Sequence, residues 1–336
     1  MRRMRTGLAA LSLSFGAVIC AGAAAQTQPA PVAQQALEAL REVTGLPGLA
    51  FSIANADGTG VTLVAGVVDL ATGEPVTADT RFRLGSVSKP VTALLVARAL
   101  ADGDVDLDQP LETLMADCPP ELHGLTLRQL LSHTAGLPHY GAERSGLGQT
   151  HYPRSRDAFP LFLDRVPVSP PGETYTYSSY GYTVVAAVLE EITGTPFPDQ
   201  LEAAFPEPDG IRADSGAYRL QNNRFEFSEG AAIAAPEHDY SYTWPGGGMI
   251  ASAPVLARFG SDFVQGHLVD AARVNVLTTP ASDQGKSSRR AERKWRWAGG
   301  SDSRHGVKPS GTMPGCPAAG GACWPSIQKA DRARPC

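Results

Sequence analysis

The run Gly85-Ser86-Val87-Ser88-Lys89-Pro90-Val91-Thr92-Ala93-Leu94-Leu95 constrains this chain more than any other stretch, because a short polar start passes directly into an apolar helix. Ser86 and Lys89 stand three positions apart, on one helix face and one turn from each other, so the amine of Lys89 reaches the hydroxyl of Ser86. A serine hydroxyl is a weak nucleophile until something takes its proton. A lysine whose pKa is lowered by burial does so at neutral pH. A place at the helix N-terminus adds unpaired backbone N–H groups that favour developing negative charge. The plainer reading makes Ser86 a helix cap and Lys89 a solvated first-turn residue. A second Ser-x-x-Lys, Ser326 to Lys329, shows that the spacing alone is not diagnostic, since nothing around it resembles a helix start.

The rest of the chain supplies a frame for that element. Its 336 residues are 43% hydrophobic and 19% charged, which fits one or two globular domains with a sizeable core. The formal net charge of −5 and the lack of a basic face argue against nucleic acid and anionic membrane surfaces as partners. Arg2, Arg3 and Arg5 precede an apolar stretch from Leu8 to Ile19, and Ala23, Ala24 and Ala25 supply the small residues of a cleavage site. Residues 1–25 therefore read as a secretory signal peptide, too short for a membrane span, and the mature chain is expected to be exported, periplasmic or secreted. Cys20 raises a lipoprotein alternative, against which the bulky Ile19 before it argues. Cys118 stands alone and Cys316, Cys323 and Cys336 crowd the C-terminus, which is no disulfide framework.

Val32 to Val43 reads as an amphipathic helix that ends at Gly45-Leu46-Pro47-Gly48. Residues 49–54 and 61–68 are strand-like and read as an antiparallel hairpin through Asn55 to Gly60. The helix behind Ser86 is expected to run to Leu100 and stop at Asp102-Gly103. Asp102, Asp104, Asp106 and Asp108 imitate a calcium loop, but its glycine position is Leu107 and its final glutamate position is Thr113, so a solvated turn is expected. Leu125 to Leu131 reads as a helix opened by Thr126, followed by His133 in a turn, where a structural hydrogen bond is the commoner role than catalysis. Residues 139–172 are rich in glycine, proline and polar groups and read as a long loop over a cleft. After a turn at Pro170 to Glu173 come Tyr175, Tyr177, Tyr180 and Tyr182, and then an apolar helix from Thr183 to Ile192. Four tyrosines in eight residues ordinarily mean packing. A phenol delivered just before a helix also suits acid/base work if a neighbouring lysine holds its pKa down.

Taken together, SVSK at 86–89, VDLDQP at 105–110, LTLRQLLSHTAGL at 125–137, PPGETYTYSSYGYT at 170–183 and WPGGGMIAS at 244–252 resemble the serine β-lactamase and penicillin-binding carboxypeptidase superfamily. The similarity lies in its class C and esterase-like branch, nearest to the mitochondrial and bacterial serine β-lactamase-like proteins, through Ser132 to Tyr140 and Ser241 to Gly248. It implies an α/β (α+β) fold, with an antiparallel sheet flanked by helices and built from both ends of the chain, plus a mostly helical subdomain at about 113–235. It also implies a metal-independent, cofactor-free serine hydrolase that forms an acyl-enzyme on an amide or ester: a D-amino-acid peptide, a β-lactam or a simple ester. The resemblance makes Ser86, Lys89 and Tyr177 catalytic and Ser179 and Gly247 substrate-orienting. Either Lys89 or Tyr177 takes the first proton. The family usually has asparagine where this chain has Ser179, a departure that favours the esterase or peptidase-like branch over efficient β-lactam hydrolysis. One oxyanion donor is expected from the Ser86 backbone N–H, and the other from a strand after a Lys-Thr-Gly or His-x-Gly motif.

That third motif is missing. Three of the four tryptophans and three of the five cysteines fall after residue 280, amid Arg, Ser, Gly and Pro without strand alternation. His305-Gly306-Val307 and Lys308 to Gly311 are imitations of it. Residues 281–336 are read as an aberrant tail translated out of frame, the natural disordered extension being the alternative. With G or C third bases, a one-base shift upstream at Thr312 to Ala318 yields His-Ala-Gly-Val-Pro-Gly, and at Lys294 to Gly300 a strand-like run. On this reading the chain is poorly folded beyond 280, its hairpin lacks sheet neighbours, and it has little or no activity. The alternatives of another class are a non-catalytic penicillin-type binder or sensor and an inactive pseudogene product.

Overall fold

The computed structural model describes residues 31–140, 147–206, 210–215, 225–228, 231–234 and 237–270. The expected signal peptide and the 281–336 tail lie outside the described residues. Helix α1 (Pro31–Thr44) covers an antiparallel hairpin of β1 (Gly48–Ala54) and β2 (Gly60–Gly66). Its register runs from Gly48 opposite Gly66 to Ala54 opposite Gly60, as the two apolar runs and the turn between them predict. Leu37 of α1 packs on Leu63 and Ala65 to form a small core separate from the main one. Among the described residues these strands pair only with each other.

Strand β3 (Arg81–Arg83) leads through a 3₁₀ turn at Gly85–Val87 into α2 (Ser88–Asp102). Gly103 ends α2 in the left-handed conformation, at φ 81°, accepting the role that glycine fills without a Cβ clash. Every residue of α2 from Ser88 to Ala97 is buried. A helix apolar on all sides belongs at the centre of a domain, and α2 accordingly carries Val91, Leu94, Val96 and Ala97 into the main core with no exposed surface. The short α3 (Leu127–Leu131) is opened by a capping box: Thr126 Oγ1 accepts from Gln129 N–H while the Gln129 side chain accepts from Thr126 N–H.

The second core helix is α4 (Tyr180–Thr193), which begins three residues before the expected start and takes Tyr180 and Tyr182 into the interior. The expected loop at 139–172 is irregular where it is described, but it is not a bare loop over a cleft. It holds 3₁₀ helices at Ser155–Leu161 and Leu163–Arg165, and Phe159 and Phe162 sit in the main core. Burial of those two rings outweighs the loop-like composition around them. Beyond α4 come α5 (Phe197–Ala204), β4 (Arg212–Ala213) and a hairpin of β5 (Phe225–Ser228) with β6 (Ala231–Ala234). Then follow α6 (Trp244–Gly247), β7 (Met249–Ser252) and α7 (Ala253–Val264). The anticipated single sheet is realised as small antiparallel sheets flanked by helices, one of them ordered β3-β7-β4. That sheet joins residue 81 to residue 252, and so brings distant parts of the chain to the start of α2. No helix among the described residues is long and apolar enough to cross a membrane.

Candidate active site

Ser86 does not cap α2. It lies in the 3₁₀ turn one step before the helix, whose N-cap position is Val87, and neither turn nor helix has a side-chain cap. Its hydroxyl faces outward from an exposed position and meets two groups instead: Tyr177 OH at 2.5 Å and Lys89 Nζ at 3.3 Å. Three of the sequence-predicted residues, brought from two segments ninety positions apart, thus share one contact point.

Lys89 is fully buried, which rules out the solvated first-turn reading. Its Nζ lies 3.0 Å from Ser179 Oγ and 2.5 Å from the carbonyl oxygen of Gly246, and the rings of Tyr177 and Tyr182 cover it at 4.9 and 5.4 Å. Burial lowers its pKa from the ordinary 10.5 to about 7. A neutral amine has two N–H donors and one lone pair. With the donors spent on Gly246 O and Ser179 Oγ, the lone pair is left for the Ser86 hydroxyl. The same three oxygens also satisfy an ammonium, so the pocket accommodates both protonation states.

The condition raised in the sequence, a phenol pKa held down by a neighbouring lysine, is not met at Tyr177. Burial raises its phenol pKa, and the hydrogen bonds from Ser86 and Ser179 offset this only in part. Tyr177 is therefore a phenol at neutral pH, a proton donor rather than a resident base. Ser179 Oγ accepts from Lys89 Nζ, and its hydroxyl lies near enough to the Tyr177 phenol to oppose the rise in the phenol's pKa.

The turn from Trp244 to Gly248 forms the opposite wall. Thr92 Oγ1 donates to Pro245 O at 2.8 Å and Met249 N–H donates to Ser88 Oγ at 3.2 Å, which ties α2 to the turn on either side of Lys89. Gly246 has little room for a side chain: a Cβ there sits 3.0 Å from Ser179 O and 3.1 Å from Ser179 Cβ. Gly247, the one partly exposed residue of the helix, lies against Gly85 and has space around it.

Sequence reasoning missed the Gly246 carbonyl, since a backbone acceptor leaves no mark beyond the glycine run itself. It read His133 as a structural hydrogen-bonder more readily than a catalytic group, and it did not single out His139. His133 is buried with φ 60°, and its Nδ1 accepts from Ser178 N–H at 3.2 Å. Tyr140, at the end of the same segment, makes a short hydrogen bond to Thr243 Oγ1. No group of three or more His, Cys, Asp or Glu suited to a metal ion occurs among the described residues.

Comparison with known proteins agrees with this architecture. Over 190 residues the chain is 34% identical to Esterase EstB of Burkholderia gladioli, covering 52% of this chain and 46% of that protein. Over 307 residues it is 21% identical to the mitochondrial serine beta-lactamase-like protein LACTB of Homo sapiens, covering 69% of this chain and 56% of that one. The chain spans about half the length of these curated relatives. The solved structure of D-amino acid amidase from Ochrobactrum anthropi SV3 superposes with a TM-score of 0.64 at 20% identity, over 74% of this chain and 73% of the amidase, a likeness of fold. The Beta-lactamase family model matches residues 33–321, and the chain belongs to that family.

Proposed function

We propose that this chain is a serine hydrolase that opens an ester or amide through an acyl-enzyme on Ser86. The observation that carries the reading is the meeting of the Ser86 hydroxyl with a buried amine of pKa about 7 and a protonated phenol. Ser86 Oγ attacks the acyl carbonyl carbon as its proton passes to the Lys89 lone pair, and the oxyanion is met by the backbone N–H of Ser86. The C–O or C–N bond to the leaving group then breaks, and Tyr177 gives that group its proton. The proton on the new ammonium then returns to the phenolate, by way of the Ser179 hydroxyl that already accepts from Lys89. Water then cleaves the acyl-serine with the same groups acting in reverse, and Ser86 regains its hydrogen. In this scheme Ser179 and Gly247 orient the substrate on the two sides of the cleft.

An ester is the preferred substrate class. A hydroxyl at 179 relays a proton but lacks the paired donor and acceptor of an amide for gripping a peptide-like substrate. The relative that carries the name esterase, at 34% identity, supports the same preference. The test is covalent: incubation with p-nitrophenyl acetate or a fluorescent penicillin, followed by peptide mass mapping. An adduct on the peptide holding Ser86, absent from Ser86→Ala, is expected. No adduct, or one undiminished by the substitution, sinks the reading.

The compositional break at residue 280 supports a second element of the proposal, that turnover by this chain is impaired. A label retained for hours without product release marks a binder, whereas rapid release marks an intact hydrolase. Sequencing the coding DNA across codons 281–336 tests the out-of-frame tail directly, and N-terminal sequencing of the mature protein tests removal of residues 1–25 on export.

A further inference from the structure

We propose that His133 and His139 are positioning residues for Tyr177, holding its phenol over Ser86 through two imidazole acceptors; this rests on the role given to Tyr177 above. The two residues that follow Tyr177 each give a backbone N–H to a histidine. Ser178 N–H donates to His133 Nδ1 and Ser179 N–H donates to His139 Nδ1, both at 3.2 Å. An Nδ1 that accepts carries no proton, so each neutral ring is protonated on Nε2.

The rings that accept these bonds also flank the phenol. The Tyr177 ring centroid lies 4.6 Å from that of His133, tilted by 41°, and 5.1 Å from that of His139, edge-on at 78°. Two more bonds complete the grip: Thr176 N–H donates to His133 O at 2.7 Å, and Ser178 Oγ donates to Pro138 O at 2.6 Å. Residues 176, 178 and 179 are thus held by residues 133, 138 and 139. The left-handed backbone at His133 lets its carbonyl address Thr176 while its ring addresses Ser178. A non-glycine residue keeps such a conformation only where its surroundings demand it. The bond at His139 has a further consequence, because Ser179 is also the oxygen that receives a hydrogen from Lys89. One imidazole therefore fixes the residue that takes a hydrogen from the buried amine.

Packing and acceptance are separable by substitution. Phenylalanine or leucine preserves bulk without an acceptor, whereas asparagine places an oxygen near the position of Nδ1. In the full chain, acylation is expected to slow by about ten- to a hundredfold in His133→Phe and His139→Leu, the scale of a roughly 1 Å displacement of a reacting group. His133→Asn and His139→Asn are expected to restore most of the rate. The substrate concentration for half-maximal acylation should stay put in all four. His139 is exposed, so its pair decides the matter if the buried His133→Phe fails to fold. Equal losses in the asparagine and apolar variants, or no loss in either, overturn the proposal. Long-range ¹H–¹⁵N NMR of the parent protein is expected to show both rings protonated on Nε2, and a proton on Nδ1 of either ring overturns it too. Absence of any Ser86-dependent adduct in the parent defeats the hydrolase reading alone, while the tautomers still judge the clamp.

Discussion

The titration of Lys89 offers the sharpest test of the site, because one number governs both rate and stability. Its pKa falls from 10.5 to about 7 on folding, through burial alone. Acylation needs the free amine, so its rate is expected to rise about tenfold between pH 6 and 8 and to level off above, with a midpoint near 7. Tyr177, raised by burial, does not titrate in this window. Stability follows with a definite sign. Below pH 7 the folded protein bears the whole cost of holding an ammonium out of water, about 5 kcal/mol. Between 7 and 10.5 the unfolded chain still binds the proton that the folded one has released, so stability climbs as pH rises and the penalty is gone above 10.5. Replacement by methionine removes the dependence. From pH 6 to 9 the parent is expected to gain about 3 kcal/mol on Lys89→Met. Urea unfolding at several pH values measures that gain, and stopped-flow acylation with p-nitrophenyl acetate measures the rate. A rate flat from pH 5.5 to 8.5, or a stability difference independent of pH, refutes a buried lysine acting as base.

Tyr177→Phe should slow amide acylation by about 10²- to 10⁴-fold and leave p-nitrophenyl ester acylation far less affected, since a nitrophenolate departs without a proton; equal losses deny it the leaving-group role. Gly246→Ala forces a methyl against the Ser179 backbone, and a destabilisation of about 1–3 kcal/mol with slowed acylation is expected in calorimetry and labelling. Leu94→Ala empties a fully buried position in α2 and should cost about 2–5 kcal/mol in urea unfolding, with the adduct still confined to Ser86 in the folded fraction.

What the sequence disclosed was local. The hairpin at 48–66 follows from two apolar runs about a polar turn, the end of α2 from Gly103, and the start of α3 from Thr126, whose partner Gln129 closes the capping box. The pairing of Ser86 with Lys89 is legible for the same reason, since three residues on a helix are one turn apart. Features that depend on distant segments were not legible. The acceptors at His133 and His139 act across 45 and 40 residues, and the Gly246 carbonyl reaches Lys89 across 157. Strands β4, β5 and β6 are too short to show an alternation, and Tyr180 and Tyr182 look like their functional neighbour in a tyrosine-rich run although both are core. Whether a lysine holds the Tyr177 phenol down was not legible either, because that depends on how deeply the ring sits.

The carbonyl of Gly246 has a consequence for the order in which the protein matures. A growing polypeptide that has not yet supplied the turn at 244–248 leaves Lys89 in water with an ordinary, protonated amine, and Ser86 is then no more reactive than any other hydroxyl. Chemical competence therefore arrives only after segments more than 150 residues apart have docked, and a chain in which they have not carries no armed nucleophile to modify itself or its neighbours.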